Sequence, residues 1–533
     1  MLLLTTLLAL GAALGVPAAT PGETACSSFT LQDVSNVTVA LIGTEYYPAG
    51  ATVNISNPYS QINTNSLPAF CRIELSITTN ATANKTAGTD VWLPDSWNGR
   101  LLGFGSGGLG GGIVVSDMGH VAVQQGFAGV STDTGHLSNA GDGIWGGPHN
   151  DNAIIDFAYR ALHLSVIAGK QVTEQYYGNA ANKSYYLGCS TGTLKEVQQF
   201  PEDFDGVVVG SPANWMTHLP VWSIYVNLAV LPVGSPQWIT QDMWSGLIHD
   251  EVMKQCDALD GVTDGIINNP LICHFQPETL ACESGQNAST CLNPEQINAI
   301  HTAFSPYYQN GTYVFEGLYP GGEGGYANTL LGPVIGSISV DYYRYFILND
   351  TTWDPATLNL SDIQLADRLN AANMNAIATD ITPFVGPEHN GKVIHYVGMA
   401  DNVISAGNSL HYYGTVRDQM AQTSMPNMDD YYRLFTVPGM AHCSGGYGAN
   451  AFGGGGQAAS GMPPTTNDPT HNVLSAMVQW VEEGVAPDHL VAAYYNNNNA
   501  TQGVAFTRPL CKYPQQITYL GGDSNNATSF ACT

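Results

Sequence analysis

Short apolar runs that each open into a loop give the chain its clearest pattern: Leu101 to Phe104, Ser184 to Leu187, Val207 to Val209, 392–400 and 434–441. Runs of this length bounded by glycine and turn residues predict buried strands. Two longer stretches, 152–170 and 470–484, carry apolar residues at helical spacing and predict helices that cover a sheet. The glycine run 453–456 and the asparagine run 496–499 predict exposed loops. Strands and helices mixed in this way predict an α/β fold.

Chemistry concentrates where the strand-like runs end. After Leu187, the residues Gly188-Cys189-Ser190-Thr191-Gly192 fit G-x-S-x-G. That pattern lets a strand reverse sharply into a helix while lifting a serine above the sheet, because glycines tolerate the crowding on either side. In a chain with 59 glycines the same pentapeptide also arises as an ordinary loop. Two further residues follow in the order that a Ser, acid, His triad requires. Asp401 ends the run 392–400, and His442 follows the run 434–441. Taken singly, Asp401 before Asn402 reads as a turn residue, and His442 reads as a structural histidine. The loop after Leu101 to Phe104 runs Gly105-Ser106-Gly107-Gly108-Leu109-Gly110-Gly111-Gly112. Backbone N–H groups approach an oxyanion closely only where side chains are absent. Gly107 or Gly108, with Thr191, are therefore the expected oxyanion donors. The other reading is a flexible surface loop, and no Lys follows to make it a phosphate loop.

These residues resemble the tannase and feruloyl esterase family. The resemblance rests on Gly188 to Gly192, on Pro201-Glu202-Asp203-Phe204-Asp205-Gly206, on Gly398-Met399-Ala400-Asp401-Asn402-Val403-Ile404-Ser405 and on His442-Cys443-Ser444-Gly445-Gly446. It implies an α/β-hydrolase fold with Ser190 as nucleophile, Asp401 and His442 as its partners, and a disulfide between Cys189 and Cys443. With local spacing it also implies Cys26 with Cys71, Cys256 with Cys273, Cys282 with Cys291, and Cys511 with Cys532. Thr191 gives the Cys-Ser-Thr-Gly form of the feruloyl branch, so the implied substrate is a hydroxycinnamate ester on plant cell-wall polysaccharide or a small aromatic ester. A gallate ester is the alternative. The segment from Thr193 to Pro201 is about three residues shorter than the family pattern, close to one helical turn. A β-branched Thr193 would crowd the elbow. A catalytically impaired binding protein on the same fold is the rival reading that this departure supports, and a secreted serine peptidase is a weaker third. The resemblance is also compatible with a homodimer.

The predicted catalytic elements fall in two blocks. Residues 20–212 and 388–533 are expected to form one discontinuous catalytic domain, with 213–387 inserted as a lid after the half that holds the nucleophile elbow. Trp215, Trp222, Tyr225 and Tyr319 in that insertion would either stack on a phenolic ring or pack in a core. The insertion also contains Cys256-Asp257-Ala258-Leu259-Asp260-Gly261-Val262-Thr263-Asp264-Gly265-Ile266. Its interleaved carboxylates suit either a hard cation or a cluster of Asx turns, and it lacks EF-hand spacing. The family resemblance implies a structural calcium held by Asp257, Asp260 and Asp264 side chains and by the Val262 and Ile266 carbonyls.

Composition narrows compartment and partners. The apolar run Leu2 to Leu14 followed by Val16-Pro17-Ala18 predicts a secretory signal over 1–19. Ten cysteines and eleven N-x-[ST] sequons suit a secreted, extracellular, glycosylated protein. With 15 basic and 43 acidic residues the formal net charge is -28. Such a chain is repelled by phosphate backbones and anionic lipids, so neither nucleic acid nor membrane is an expected partner.

Overall fold

The computed structural model describes residues 20–191 and 194–533. The export signal expected at 1–19 and the crowding expected at Thr193 therefore lie outside the described residues, as does Gly192. Nine strands make one sheet: β1 (Val39–Tyr47), β2 (Phe70–Asn80), β3 (Lys85–Pro94), β4 (Arg100–Phe104), β5 (Ala128–Thr132), β6 (Lys183–Cys189), β7 (Gly206–Gly210), β8 (Lys392–Gly398) and β9 (Tyr432–Val437). Their spatial order is β1-β2-β3-β5-β4-β6-β7-β8-β9. The strands β1, β2, β3 and β5 pair antiparallel in succession. From β5 onward through β4, β6, β7, β8 and β9 all neighbours are parallel. This is the sheet of an α/β-hydrolase fold.

The alternation of side chains along each strand divides the core into two halves. Val207 and Val209 join Val393, Val397 and Leu434 beneath α1 (Ala161–Tyr177). On the opposite face Val208 joins Ile394, Tyr396 and Phe435. The loop between β7 and β8 carries the helix α2 (Leu219–Val230), and α3 (Ala406–Met420) follows β8. Helix α4 (Val473–Glu483) covers the Val208 face with Val473, Leu474, Met477 and Trp480. The two helices expected from periodicity shift only at their ends. The first is helical from Asp151 to Tyr177, interrupted by a π turn at Asp156–Arg160. There the buried Asp156 carboxylate accepts from Thr79 and pairs with Arg160. The second is capped by the Asn472 side chain and ends at Gly484 in the left-handed region.

Between β7 and β8 the chain builds a separate apolar cluster around Trp222, Trp244, Tyr326, Tyr342 and Tyr343, all buried. Leu109 and Phe157, from the sheet-bearing part, pack into this cluster and seat it over the carboxyl ends of the strands. Five disulfides join Cys26 to Cys71, Cys189 to Cys443, Cys256 to Cys273, Cys282 to Cys291, and Cys511 to Cys532. No helix among the described residues is long and apolar enough to cross a membrane.

Candidate active site

The strand order reverses at β4, which has β5 on one side and β6 on the other. Loops leaving the carboxyl ends of β4 and β6 therefore diverge and open a crevice, the usual place for a ligand in such sheets. The loop after β6 carries Ser190 and the loop after β4 carries the glycine run. Ser190 has a φ of +71°, in the left-handed region that ordinary side chains avoid. The cost, of order 1–3 kcal/mol, is met by backbone bonds from the Ser190 N–H to Gly210 O at 2.9 Å and from the Ala213 N–H to Ser190 O at 3.0 Å. Both bonds reach β7 or the residues just after it, so the neighbouring strand holds the turn in place.

Asp401 follows β8, and its carboxylate is almost entirely buried. Its Oδ1 accepts from the N–H groups of Val403 and Ile404, each at 2.9 Å. Its Oδ2 lies 2.9 Å from His442 Nδ1. Charge-assisted bonds of this kind fix the ring and leave Nε2 on the far edge. The His442 backbone N–H donates to Asn402 Oδ1 at 3.3 Å, a further tie between the two loops. One residue on, Cys443 takes a φ of +64° and forms the disulfide to Cys189, with Cα atoms 6.0 Å apart across 254 residues of sequence.

Two cavities meet at Ser190. One, of about 340 Å³, has walls of Met216, Leu219, Pro220, Leu330, Val334 and Ile338, and no Lys, Arg, Asp or Glu lines it. The other, about 540 Å³ and more open, is bordered by Tyr59, Ser116, Asp117, His442, Ser444 and Ser460. Gly108, Ile338 and Val403 border both. Burial raises the Asp117 carboxyl to about 6. Its Oδ2 accepts the Gly456 N–H at 2.9 Å, while Oδ1 has no partner among the described residues.

The expected oxyanion donors come together at the same point. Thr191 is buried and lines the apolar cavity. Gly108 has a φ of +60°, and a Cβ there would sit 2.4 Å from Ala140 O, so this position admits glycine only. At Gly107 the N–H donates to the Tyr59 hydroxyl at 2.5 Å, a partner that nothing in the glycine run announces. The shortened segment after the elbow is a helix of only five residues, Lys195–Gln199. Lys195 is buried, and its ammonium donates to the carbonyls of Asn373 and Asn375, tying the elbow to the insertion. Burial lowers its pKa to about 8.

Of the two uses open to the four aromatic rings, stacking on a phenol or core packing, the structure shows packing. Trp222 is fully buried against Phe315, Trp215 stacks on His218, Tyr225 stacks on Tyr307, and Tyr319 packs against the sheet core. None of the four lines the apolar cavity. Its walls combine aliphatic residues with Ser223, Asn227, Asn328, Thr329, Ser337 and Ser339, drawn from separate segments with no local sequence signal.

The calcium expectation is corrected. No group of three His, Cys, Asp or Glu among the described residues could hold a metal ion. The expected ligands Asp257, Asp260, Val262, Asp264 and Ile266 form interlocked turns instead. Asp257 accepts from the N–H groups of Asp264 and Gly265, and Asp260 from those of Val262 and Asn268. Asp264 accepts from the Ile266 N–H and pairs with the Arg508 guanidinium at 2.5 Å. The carboxylates are thus engaged by backbone donors and by an arginine 244 residues away in sequence.

A family model described as tannase and feruloyl esterase matches residues 71–533. A probable feruloyl esterase B-1 of Aspergillus oryzae is 37% identical over 95% of this chain and 92% of its own length. Among solved structures, an esterase from Aspergillus oryzae superposes with a TM-score of 0.88 at 34% identity, covering 96% of this chain and all of that one. The feruloyl esterase B of the same organism superposes with a TM-score of 0.87 at 37% identity, covering 96% and 99%.

Proposed function

The chain belongs to the tannase and feruloyl esterase family, and on that premise we propose that it hydrolyses hydroxycinnamate esters at Ser190 through an acyl-enzyme. It is a serine carboxylic ester hydrolase of that family. The observation that carries the substrate reading is the pair of unlike cavities meeting at Ser190. An ester has two halves, and the two cavities suit them. The aliphatic cavity, without a charged residue, suits a flat aromatic acyl group with few polar atoms. The hydroxyl-rich groove beside His442 suits an alcohol such as a sugar.

In this reading His442 Nε2 takes the Ser190 proton as the serine oxygen bonds to the acyl carbon, and the carbonyl electrons move onto its oxygen. Asp401, buried and bonded to Nδ1, steadies the imidazolium. His442 then protonates the leaving alcohol, which lies on its own side of the serine. Water enters by the same groove, gives its proton to His442 and releases the acid, and Ser190 recovers its proton. Residues 213–387 act as a lid whose inner face is the acyl wall. The five disulfides and the sequons support export, with 1–19 as the signal.

A gallate ester fits less well, because its three ring hydroxyls would meet Met216, Leu219, Pro220, Leu330 and Val334 over much of the cavity wall and lose water there. Rates on methyl ferulate, methyl p-coumarate and methyl gallate test this. The expected order places both hydroxycinnamates at least tenfold above gallate in kcat/KM. A gallate preference would overturn the substrate assignment while leaving the esterase chemistry intact.

A further inference from the structure

The glycine run is shaped around one side chain. A Cβ on Gly110 would come within 2.4 Å of the Tyr59 ring, and one on Gly112 within 3.0 Å of Tyr59 Cβ and 2.3 Å of Asn57 Oδ1. Tyr59 stands in the turn between two short strands, Val53–Ser56 and Gln61–Thr64, outside the nine-stranded sheet. That turn is clamped at both ends. Asn57 Oδ1 accepts from the N–H groups of Tyr59 and Ser60, and its amide donates to Ile113 O at 2.7 Å. Ser60 and Ser116 share a hydroxyl bond at 3.0 Å. The phenol is thus held against the loop that follows β4.

Its hydroxyl lies beside Ser190. A Cβ built on Gly107 would be 3.1 Å from the Tyr59 oxygen and 3.8 Å from Ser190 Cβ, so the phenol and the serine flank the same spot. Tyr59, Gly107, Gly108, Ser190 and His442 all border the polar groove. The Gly107 N–H, the expected donor, is already given to the Tyr59 oxygen. Among the described residues no acceptor takes the phenol's own proton. Accepting one hydrogen bond polarises a hydroxyl and strengthens the bond that it donates.

We infer that Tyr59 is a catalytic residue, whose hydroxyl, held by the Gly107 N–H, donates to the oxyanion that forms on the ester carbonyl. The inference rests on the reading of Ser190 as nucleophile. As the serine oxygen bonds to the acyl carbon, the carbonyl electron pair moves to the oxygen, and the Tyr59 O–H and the Gly108 and Thr191 N–H groups receive it. Tyr59 keeps its proton throughout, because burial pushes the phenol up to about 12. The negative charge passes back into the carbonyl when the alcohol leaves. A side-chain donor fits the local structure, since the backbone donor expected at Gly107 is turned onto the phenol.

The test is Tyr59→Phe. The expected result is a fall in kcat of about 100-fold with KM changed by less than threefold, and a similar loss of affinity for an arylboronic acid, whose tetrahedral serine adduct places a negative oxygen in the same position. A variant with kcat within threefold of wild type would overturn the inference, because the freed Gly107 N–H would then serve and Tyr59 would be only a plug. A variant with raised KM and unchanged boronate affinity would also overturn it, marking a structural role. Should the phenylalanine variant fail to fold, 3,5-difluorotyrosine at position 59 keeps the ring and lowers the phenol pKa. The alkaline limb of kcat should then move to lower pH, and an unmoved limb would overturn the inference. Inactive wild-type protein, or full activity in Ser190→Ala, would instead defeat the serine-esterase reading itself.

Discussion

The two walls around Ser190 are built by different parts of the chain and by different means. The proposed acyl side has Met216, Leu219 and Leu330 as its aliphatic wall, with Ser223, Asn227 and Thr329 among them, all from the segment between β7 and β8. The alcohol side is polar, supplied by Tyr59, Asp117, His442 and Ser444 from loops of the sheet-bearing part. The aliphatic residues of the first make no side-chain hydrogen bond, while Asn227 and Ser337 beside them donate to the carbonyls of Leu330, Gly332 and Gly141. The second is fixed by bonds such as Asp117 to Gly456 and Asn402 to His442. The proposed acid, base and nucleophile all stand on sheet loops, so in this proposal chemistry belongs to the sheet-bearing part and choice of acyl group to the segment between β7 and β8.

The largest effect should come from the point both sides share. Ser190→Ala is expected to lower kcat by about 10⁴-fold or more on every ester, measured with methyl ferulate and with p-nitrophenyl acetate. An equal loss on both would show that the serine serves the two sides alike. Next comes the acyl wall. Leu219→Asp places a carboxylate in the first turn of α2, where a helix tolerates it. It should raise KM for methyl ferulate at least tenfold while leaving p-nitrophenyl acetate, whose acyl group has two carbons, within twofold. Similar losses on both esters would break the division of labour.

The bond across the two loops comes third. Replacing Cys189 and Cys443 together by Ala removes a link closing 254 residues, a contribution of about 5.5 kcal/mol in the chain-entropy model. The expected outcome is a folded protein at 25 °C with kcat reduced about tenfold, read by circular dichroism and steady-state kinetics. Full activity would show that the sheet alone aligns Ser190 with His442.

The smallest effect is on stability and lies on the polar side. The Asp117 carboxyl is raised by burial to about 6, so the folded state holds its proton more tightly than the unfolded state does. The Asp117 contribution to stability should therefore fall as pH rises from about 4 through 6. Asp117→Asn should raise Tm at pH 8 and leave it unchanged below pH 4. A gain at both pH values would assign the effect to something other than the charge.

The sequence made the proposed catalytic elements legible because each ends a run of apolar residues. Ser190, Asp401 and His442 sit just past β6, β8 and β9, and strand ends in such a sheet converge. The acyl wall was illegible for the opposite reason. Leu219, Leu330 and Ile338 are scattered single residues that share no period and meet only when the insertion folds. The Asp-Gly loop at 257–266 misled because a cation site and a set of Asx turns use the same residue types. Its decisive partner, Arg508, is 244 residues away in sequence. Tyr59 went unseen because a lone tyrosine in an Asn-Pro-Tyr-Ser turn carries no pattern. The only trace was the unusual density of glycines opposite it.

The division between the two walls is tested most directly by a crystal structure of the Ser190→Ala protein with a feruloylated arabinose bound. The feruloyl ring should lie between Leu219, Leu330 and Ile338, with the sugar against Tyr59, Ser116 and Asp117. A ligand bound the other way round, sugar in the aliphatic cavity and ring beside His442, would contradict it.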